Sequence, residues 1–112
     1  MLSFQNLDVY RCSIRFVSVA DEVAATLPKG HAALSDQLKR AAWSVPLNIA
    51  EAAGRGSRAD AGRHYAIARG SAMEAAAVLD VLHCIEVLGE DRRREGLELI
   101  ARIVGMLTKL CR

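Results

Sequence analysis

The segment from Ala32 to Ala53 constrains the fold more than any other part of the chain. Its apolar residues recur at steps of three and four, which at about 100° per residue places them on one side of a helix. They are Leu34, Leu38, Ala41, Val45, Ile49 and Ala52. A polar stripe runs beside them, formed by Gln37, Arg40, Ser44, Asn48, Glu51 and Arg55. This pattern predicts an amphipathic helix that buries one face in a core.

The same helix has a second apolar face, separated from the first by the polar stripe. Trp43, Leu47, Ala50 and Gly54 lie on it. Monomeric proteins seldom expose large contiguous apolar patches, so we expect a homo-oligomer in which Trp43 and Leu47 contact a neighbouring subunit. The alternative is that other helices of the same chain cover this face.

Three further segments have helical periodicity. The first follows Asn6 and ends at Leu27-Pro28, the third runs from about Arg58 to Leu88 before Gly89, and the last is capped by Asp91. Only 4% of residues are aromatic, so the core must be built from small aliphatic side chains. Four helices joined by short turns, without a strand signal, predict a single all-α domain over residues 1–112, an antiparallel up-down four-helix bundle.

Glu74 projects from an otherwise apolar face of the third helix. A buried carboxylate has to be paired or neutralised. If the second and third helices are antiparallel, Glu74 lies near the level of Arg40 and Ser44. We therefore expect a structural polar layer of Arg40, Ser44, Asn48 and Glu74 that sets the register of the helices. A ligand pocket or an acid–base pair is the functional alternative.

No motif for catalysis or metal binding is present. The Glu-x-x-His pairs of di-iron bundles are absent, and His31, His64 and His83 are scattered along the chain. There is no phosphate-binding glycine loop and no G-x-S-x-G. The sequence predicts a protein that is not an enzyme, with no catalytic residues, no metal and no cofactor.

The cysteines and the hydropathy bear on the cellular compartment. Cys12, Cys84 and Cys111 are odd in number and form no C-x-x-C pair, so we expect buried free thiols in a reducing environment. No apolar run approaches the length of a signal peptide core or a membrane span. These features predict a cytoplasmic protein without a membrane partner.

The net charge of +2 conceals an uneven distribution. In the predicted bundle most of the arginines gather at one end and most of the acids at the other. In a ring of subunits that point the same way, the basic ends form a continuous positive surface able to bind phosphate backbones. The candidate nucleic-acid-binding residues are Arg55, Arg58, Arg63, Lys109 and Arg112. An ordinary solvated surface is the alternative.

The run RAAWSVPLNIAEAAGRGSRADAGRHYAIARGSAMEA, from Arg40 to Ala75, resembles the signature of the four-helix-bundle family of proteins encoded in 23S ribosomal RNA intervening sequences. That signature is approximately R-A-A-x-S-I-P-x-N-I-A-E-G-x-G-R-x-S, then an acidic-aromatic segment, and then I-A-x-G-S-x-x-E. The chain departs from it at three places. Ala52 stands where the family usually has glycine, Asp60-Ala61 stands for an acidic-aromatic pair, and His64-Tyr65 stands for an aromatic-aliphatic pair.

The resemblance implies a bundle that assembles as a ring, typically a homopentamer, with no known catalysis. Related accessory proteins of diversity-generating retroelements form a basic pentameric barrel that binds nucleic acid and a reverse transcriptase. Two hypotheses follow for this chain. One is an oligomeric protein that binds RNA or DNA, and the alternative is a scaffold or accessory subunit that docks a partner protein without binding nucleic acid.

Overall fold

The all-α prediction is confirmed by a computed structural model that describes residues 1–112. The four α-helices are α1 (Asp8–Thr26), α2 (Ala32–Ala53), α3 (Arg58–Cys84) and α4 (Glu90–Leu110). Short 3-10 helices at Ser3–Asn6 and Lys29–His31 precede α1 and α2, and there is no strand.

The helices form a bundle in which each one packs against two others. Helices α1 and α3 both contact α2 and α4, and the contact between α2 and α3 is the most extensive. One cluster of 22 buried residues fills the centre, and most of them are aliphatic or alanine. Phe16 is the only aromatic side chain in this cluster, which agrees with the expectation of an aliphatic core.

The end of α3 differs from the sequence prediction. The helix stops at Cys84 rather than continuing to Leu88. The backbone N–H of Val87 donates to Leu82 O and that of Glu86 donates to His83 O, both at 3.0 Å. Glu86 has a φ of 65°. These bonds form a Schellman motif, which usually has glycine at the left-handed position. With glutamate in place of glycine, the sequence carries no signal that the helix ends there. The N-cap of α4 is Gly89 and not Asp91 as predicted, since Asp91 lies in the first turn of the helix.

At Gly96 the backbone of α4 lies close to core side chains of α3 and α1. A Cβ atom at this position would lie 2.6 Å from Leu79 Cδ1 and 3.6 Å from Phe16 Cε1. Leu79 and Phe16 are themselves buried, so neither has free space to move into. The missing side chain of Gly96 is therefore what allows α4 to pack against α3 and α1 here.

We predict that Gly96→Ala lowers the free energy of unfolding by about 1–3 kcal/mol, because the added methyl group overpacks the core. Gly105→Ala is the matched control on the same helix, since a Cβ there meets nothing within 4 Å. The control substitution should raise the free energy of unfolding by about 0.5–1 kcal/mol, because alanine has a higher helix propensity than glycine. Chemical denaturation at equal protein concentration measures both, and a stabilising Gly96→Ala would contradict this account of the packing.

Candidate functional site

Four polar side chains connect α2 and α3 through hydrogen bonds, and we call them the polar track: Ser44, Asn48, His64 and Ser71. The Oγ atoms of Ser44 and Ser71 are 2.7 Å apart. Asn48 Nδ2 donates to Ser44 O at 2.9 Å and to Ser44 Oγ at 3.1 Å. His64 Nδ1 lies 3.4 Å from Asn48 Oδ1. The track thus runs from Ser71 to a buried histidine.

Arg63 fixes the hydrogen-bonding roles of the His64 ring. Arg63 Nη2 lies 3.3 Å from His64 Nε2, and a guanidinium group can only donate. His64 Nε2 therefore accepts, so Nδ1 carries the hydrogen and donates to Asn48 Oδ1. No buried side-chain nitrogen or oxygen in the chain lacks a partner. The polar track is consequently a satisfied network, which costs little to bury.

The predicted polar layer is only partly present. Ser44 and Asn48 do come together, but Glu74 is exposed in the single chain. Glu74 and Arg40 line an open depression of about 400 Å³ together with Gln37. They form no ion pair with each other. The expectation that Glu74 points into the apolar interior is therefore wrong for the single chain.

The geometry of α3 explains this difference. Glu74 lies three residues after Ser71, which rotates its side chain by about 60° away from the Ser71 direction and toward solvent. His64 precedes Ser71 by seven residues and therefore lies on nearly the same face as Ser71. That heptad spacing was the sequence signal for the actual members of the track.

We predict that Asn48→Ala lowers the free energy of unfolding by about 1–3 kcal/mol, because it leaves the buried Nδ1–H of His64 without an acceptor. Gln37→Ala is the control, since Gln37 lies on the same stripe but is exposed. It should change stability by less than about 0.5 kcal/mol. Equal effects of the two substitutions in urea denaturation would contradict the role assigned to Asn48.

The outer face of α2 is exposed in the single chain. Trp43 has 48% of its surface exposed and Leu47 has 67%. The alternative that other helices of the chain cover this face is therefore wrong. Ile67 and Met73 of α3 are also exposed. The chain thus presents large apolar side chains to its surroundings on its two most extensively packed helices.

Three of the candidate basic residues share one open depression, which we call the arginine depression. Arg58, Arg63 and Arg112 line it together with Ala59, Gly62 and Cys111, and its volume is about 580 Å³. A Cβ on Gly62 would lie 3.2 Å from Cys111 O. The absence of that atom lets the end of α4 lie close to the first turns of α3, and this proximity brings Arg112 to Arg58.

The other two candidates lie elsewhere. Lys109 lines a separate depression of about 300 Å³ with Asp8 and Arg102. Arg55 is paired with Glu51 at 3.4 Å and approaches Asp60 to 3.9 Å, so part of its charge is compensated. The structure therefore divides the predicted basic residues into one cluster and two outlying groups.

Arg92, Arg93 and Arg94, at the start of α4, are held by carboxylates. Arg92 Nη1 lies 2.7 Å from Glu22 of α1, and Arg93 Nε lies 2.9 Å from Asp80 of α3. The hydrogen bonds to Glu22 and Asp80 raise the pKa of Arg92 and of Arg93, respectively. Arg94 is more exposed than Arg92 and Arg93, and its Nη2 lies 3.8 Å from Glu90 Oε1. These contacts compensate cations that would otherwise oppose the helix dipole.

The three cysteines are free, but they differ in burial. Cys12 is buried, Cys111 is partly buried and Cys84 is exposed. The expectation of buried thiols is therefore wrong for Cys84, which is the last residue of α3. The chain brings no three His, Cys, Asp or Glu side chains together in a metal-binding group. None of its helices combines the length and apolar character that a membrane span requires.

The fold and these surfaces define a small four-helix-bundle protein. A family model described as 23S rRNA-intervening sequence protein matches residues 5–109. The chain belongs to this family, as the resemblance in the Arg40 to Ala75 segment predicted.

A solved structure shares the fold. It is a protein of unknown function from the S23 ribosomal protein family of Bacteroides thetaiotaomicron, with a TM-score of 0.86 and 24% sequence identity. The similarity covers 93% of this chain and 98% of the other. A comparison with curated proteins found no match. The descriptions of the family and of this structure name no enzymatic activity.

Proposed function

We propose that the chain is a non-enzymatic cytoplasmic protein that assembles into a ring and binds RNA or DNA through its basic end. The observation that carries the proposal is the arginine depression, which Arg58, Arg63 and Arg112 line without an acidic lining residue. Phosphate backbones are recognised mainly through such positive charge.

The proposal includes an antiparallel up-down order of the helices, which places the start of α3 and the end of α4 at one end of the molecule. Contacts between α3 and α4 support this order. Arg69 Nη1 lies 3.5 Å from Thr108 Oγ1 near one end, and Arg93 pairs with Asp80 nearer the other. The basic end therefore combines residues that are distant in sequence.

The proposed ring is a homopentamer in which the outer face of α2 contacts the neighbouring subunit. The exposure of Trp43 and Leu47 supports an apolar contact there. If the subunits point the same way, each contributes one arginine depression to the same face. The charge of the ring is then several times that of one chain, which strengthens the attraction for a polyanion.

We predict that Trp43→Glu combined with Leu47→Glu lowers the molar mass in solution toward that of one chain of 12.1 kDa. Charged side chains in an apolar subunit contact are costly to desolvate, whereas both positions are exposed within the chain, so helix content should persist. Ile85→Glu is the control, because Ile85 is 43% exposed but lies in the turn after α3. A monomeric wild type in light scattering would contradict the ring.

We predict that structured RNA or duplex DNA binds with an affinity that falls as salt rises, by a log–log slope of roughly −0.9 per neutralised phosphate on duplex DNA. Arg58→Gln combined with Arg112→Gln should weaken binding and make the slope shallower. Arg94→Gln, which removes one positive charge next to Glu90 and away from the arginine depression, should change neither the affinity nor the slope. Binding that is absent at low salt, or insensitive to salt, would contradict the proposal.

A second candidate function is a scaffold that docks a partner polypeptide without nucleic acid. The exposed outer face of α2 favours it, since Trp is enriched where proteins bind each other. Two results would distinguish the scaffold from the nucleic-acid-binding protein. The partner polypeptide would stay bound after nuclease treatment, and Trp43→Glu would release it without changing the molar mass of the protein in solution.

A further inference from the structure

Three of the six residues that line the arginine depression are arginines. Its other lining residues, Ala59, Gly62 and Cys111, bring no carboxylate. Arg58 and Arg112 form no ion pair in the chain, and Arg63 has one, to Asp60 at 3.2 Å. A volume of about 580 Å³ falls within the range of clefts that hold small ligands.

The guanidinium groups, and not the helix ends, supply the attraction for an anion. The start of α3 borders the depression through Arg58 and Ala59, and the C-terminal end of α4 borders it through Cys111 and Arg112, which follow the helix. The partial charges of the two helix ends are opposite in sign, positive at a helix start and negative at a helix end, so they largely cancel. What remains is the charge of Arg58 and Arg112, which form no ion pair with a side chain, and the part of the Arg63 charge that Asp60 does not compensate.

Arg63 is positioned by the protein and still has donors to offer. Its Nη2 group contacts both Asp60 Oδ1 at 3.2 Å and His64 Nε2 at 3.3 Å. Its Nε and Nη1 groups make no hydrogen bond within the chain. The polar track thus holds one edge of the guanidinium, and this arrangement reduces the conformational entropy that Arg63 loses when it binds a ligand.

We infer that the arginine depression binds a phosphomonoester, the doubly charged phosphate at the end of a nucleic-acid strand or of a small molecule. A phosphomonoester carries about −1.5 to −2 charges at pH 7 and three strong acceptor oxygens. An internal phosphodiester carries one charge and is flanked by sugars on both sides. Three arginines around one depression match the first better, because a guanidinium group can form paired hydrogen bonds to a terminal phosphate. This inference rests on the proposed function, since it concerns the same basic end.

The test compares short single-stranded RNAs of one sequence that carry a 5′-phosphate, a 3′-phosphate or hydroxyl groups at both ends. Calorimetry at moderate salt should show at least one phosphorylated form binding about tenfold tighter than the hydroxyl form. Arg58→Gln combined with Arg112→Gln should bring that ratio close to one. Lys109→Gln is the control at the same end, and it should weaken all three RNAs while keeping the ratio. Circular dichroism checks that the variants remain helical.

Equal affinity of the wild type for all three RNAs would overturn the inference, and the proposed function would stand as long as binding remained salt-dependent. If the wild type showed no salt-dependent binding to any nucleic acid, both the inference and the proposed function would be overturned. Competition with inorganic phosphate identifies the source of the ligand. Displacement only at large excess assigns a strand end, displacement at comparable concentration assigns a free phosphate compound, and no displacement at any concentration contradicts a phosphate site.

Discussion

The contact between α2 and α3 is the interaction on which the rest of the structure depends. Alanine and serine side chains let the two helices approach closely, and the polar track joins them at defined levels, Ser44 with Ser71 and Asn48 with His64. A shift of one residue along either helix would break both hydrogen bonds and leave a buried imidazole unsatisfied. Such a buried network specifies one arrangement more strongly than aliphatic packing alone, which tolerates small shifts.

The surfaces of interest are consequences of this contact. Because Ser44 and Asn48 face α3, Trp43 and Leu47 must face outward on α2. Because His64 faces Asn48, its neighbour Arg63 is held at the edge of the interior, next to the end of α4. Carboxylates compensate Arg92 and Arg93, whereas Arg58 and Arg112 form no ion pair with a side chain. The two groups of arginines have the same chemistry, and only their neighbours separate a structural role from a candidate binding role.

Sequence periodicity predicted the helices well and their polar contacts poorly. The bounds of α2 agree with the prediction, because its apolar repeat is regular and a glycine follows its last residue. The predicted end of α3 was wrong, because a glutamate occupies the left-handed position of the Schellman motif, where glycine would have marked the end. Glu74 was misplaced, because a pattern of apolar neighbours does not resolve a rotation of about 60° between the buried and the exposed side of a helix. Cys84 was expected to be buried because free cysteines usually are, and that general tendency does not say which helix end a particular cysteine occupies.

The sequence by itself determined the class of fold and the family, since both follow from local information: helical periodicity, turn residues and the motif from Arg40 to Ala75. The tertiary structure alone decided which polar residues meet and which charges remain uncompensated. Arg58 and Arg112 are 54 positions apart, and no local pattern relates them. Gly62 brings them together, because it lacks the Cβ that would hold the end of α4 away from the first turns of α3.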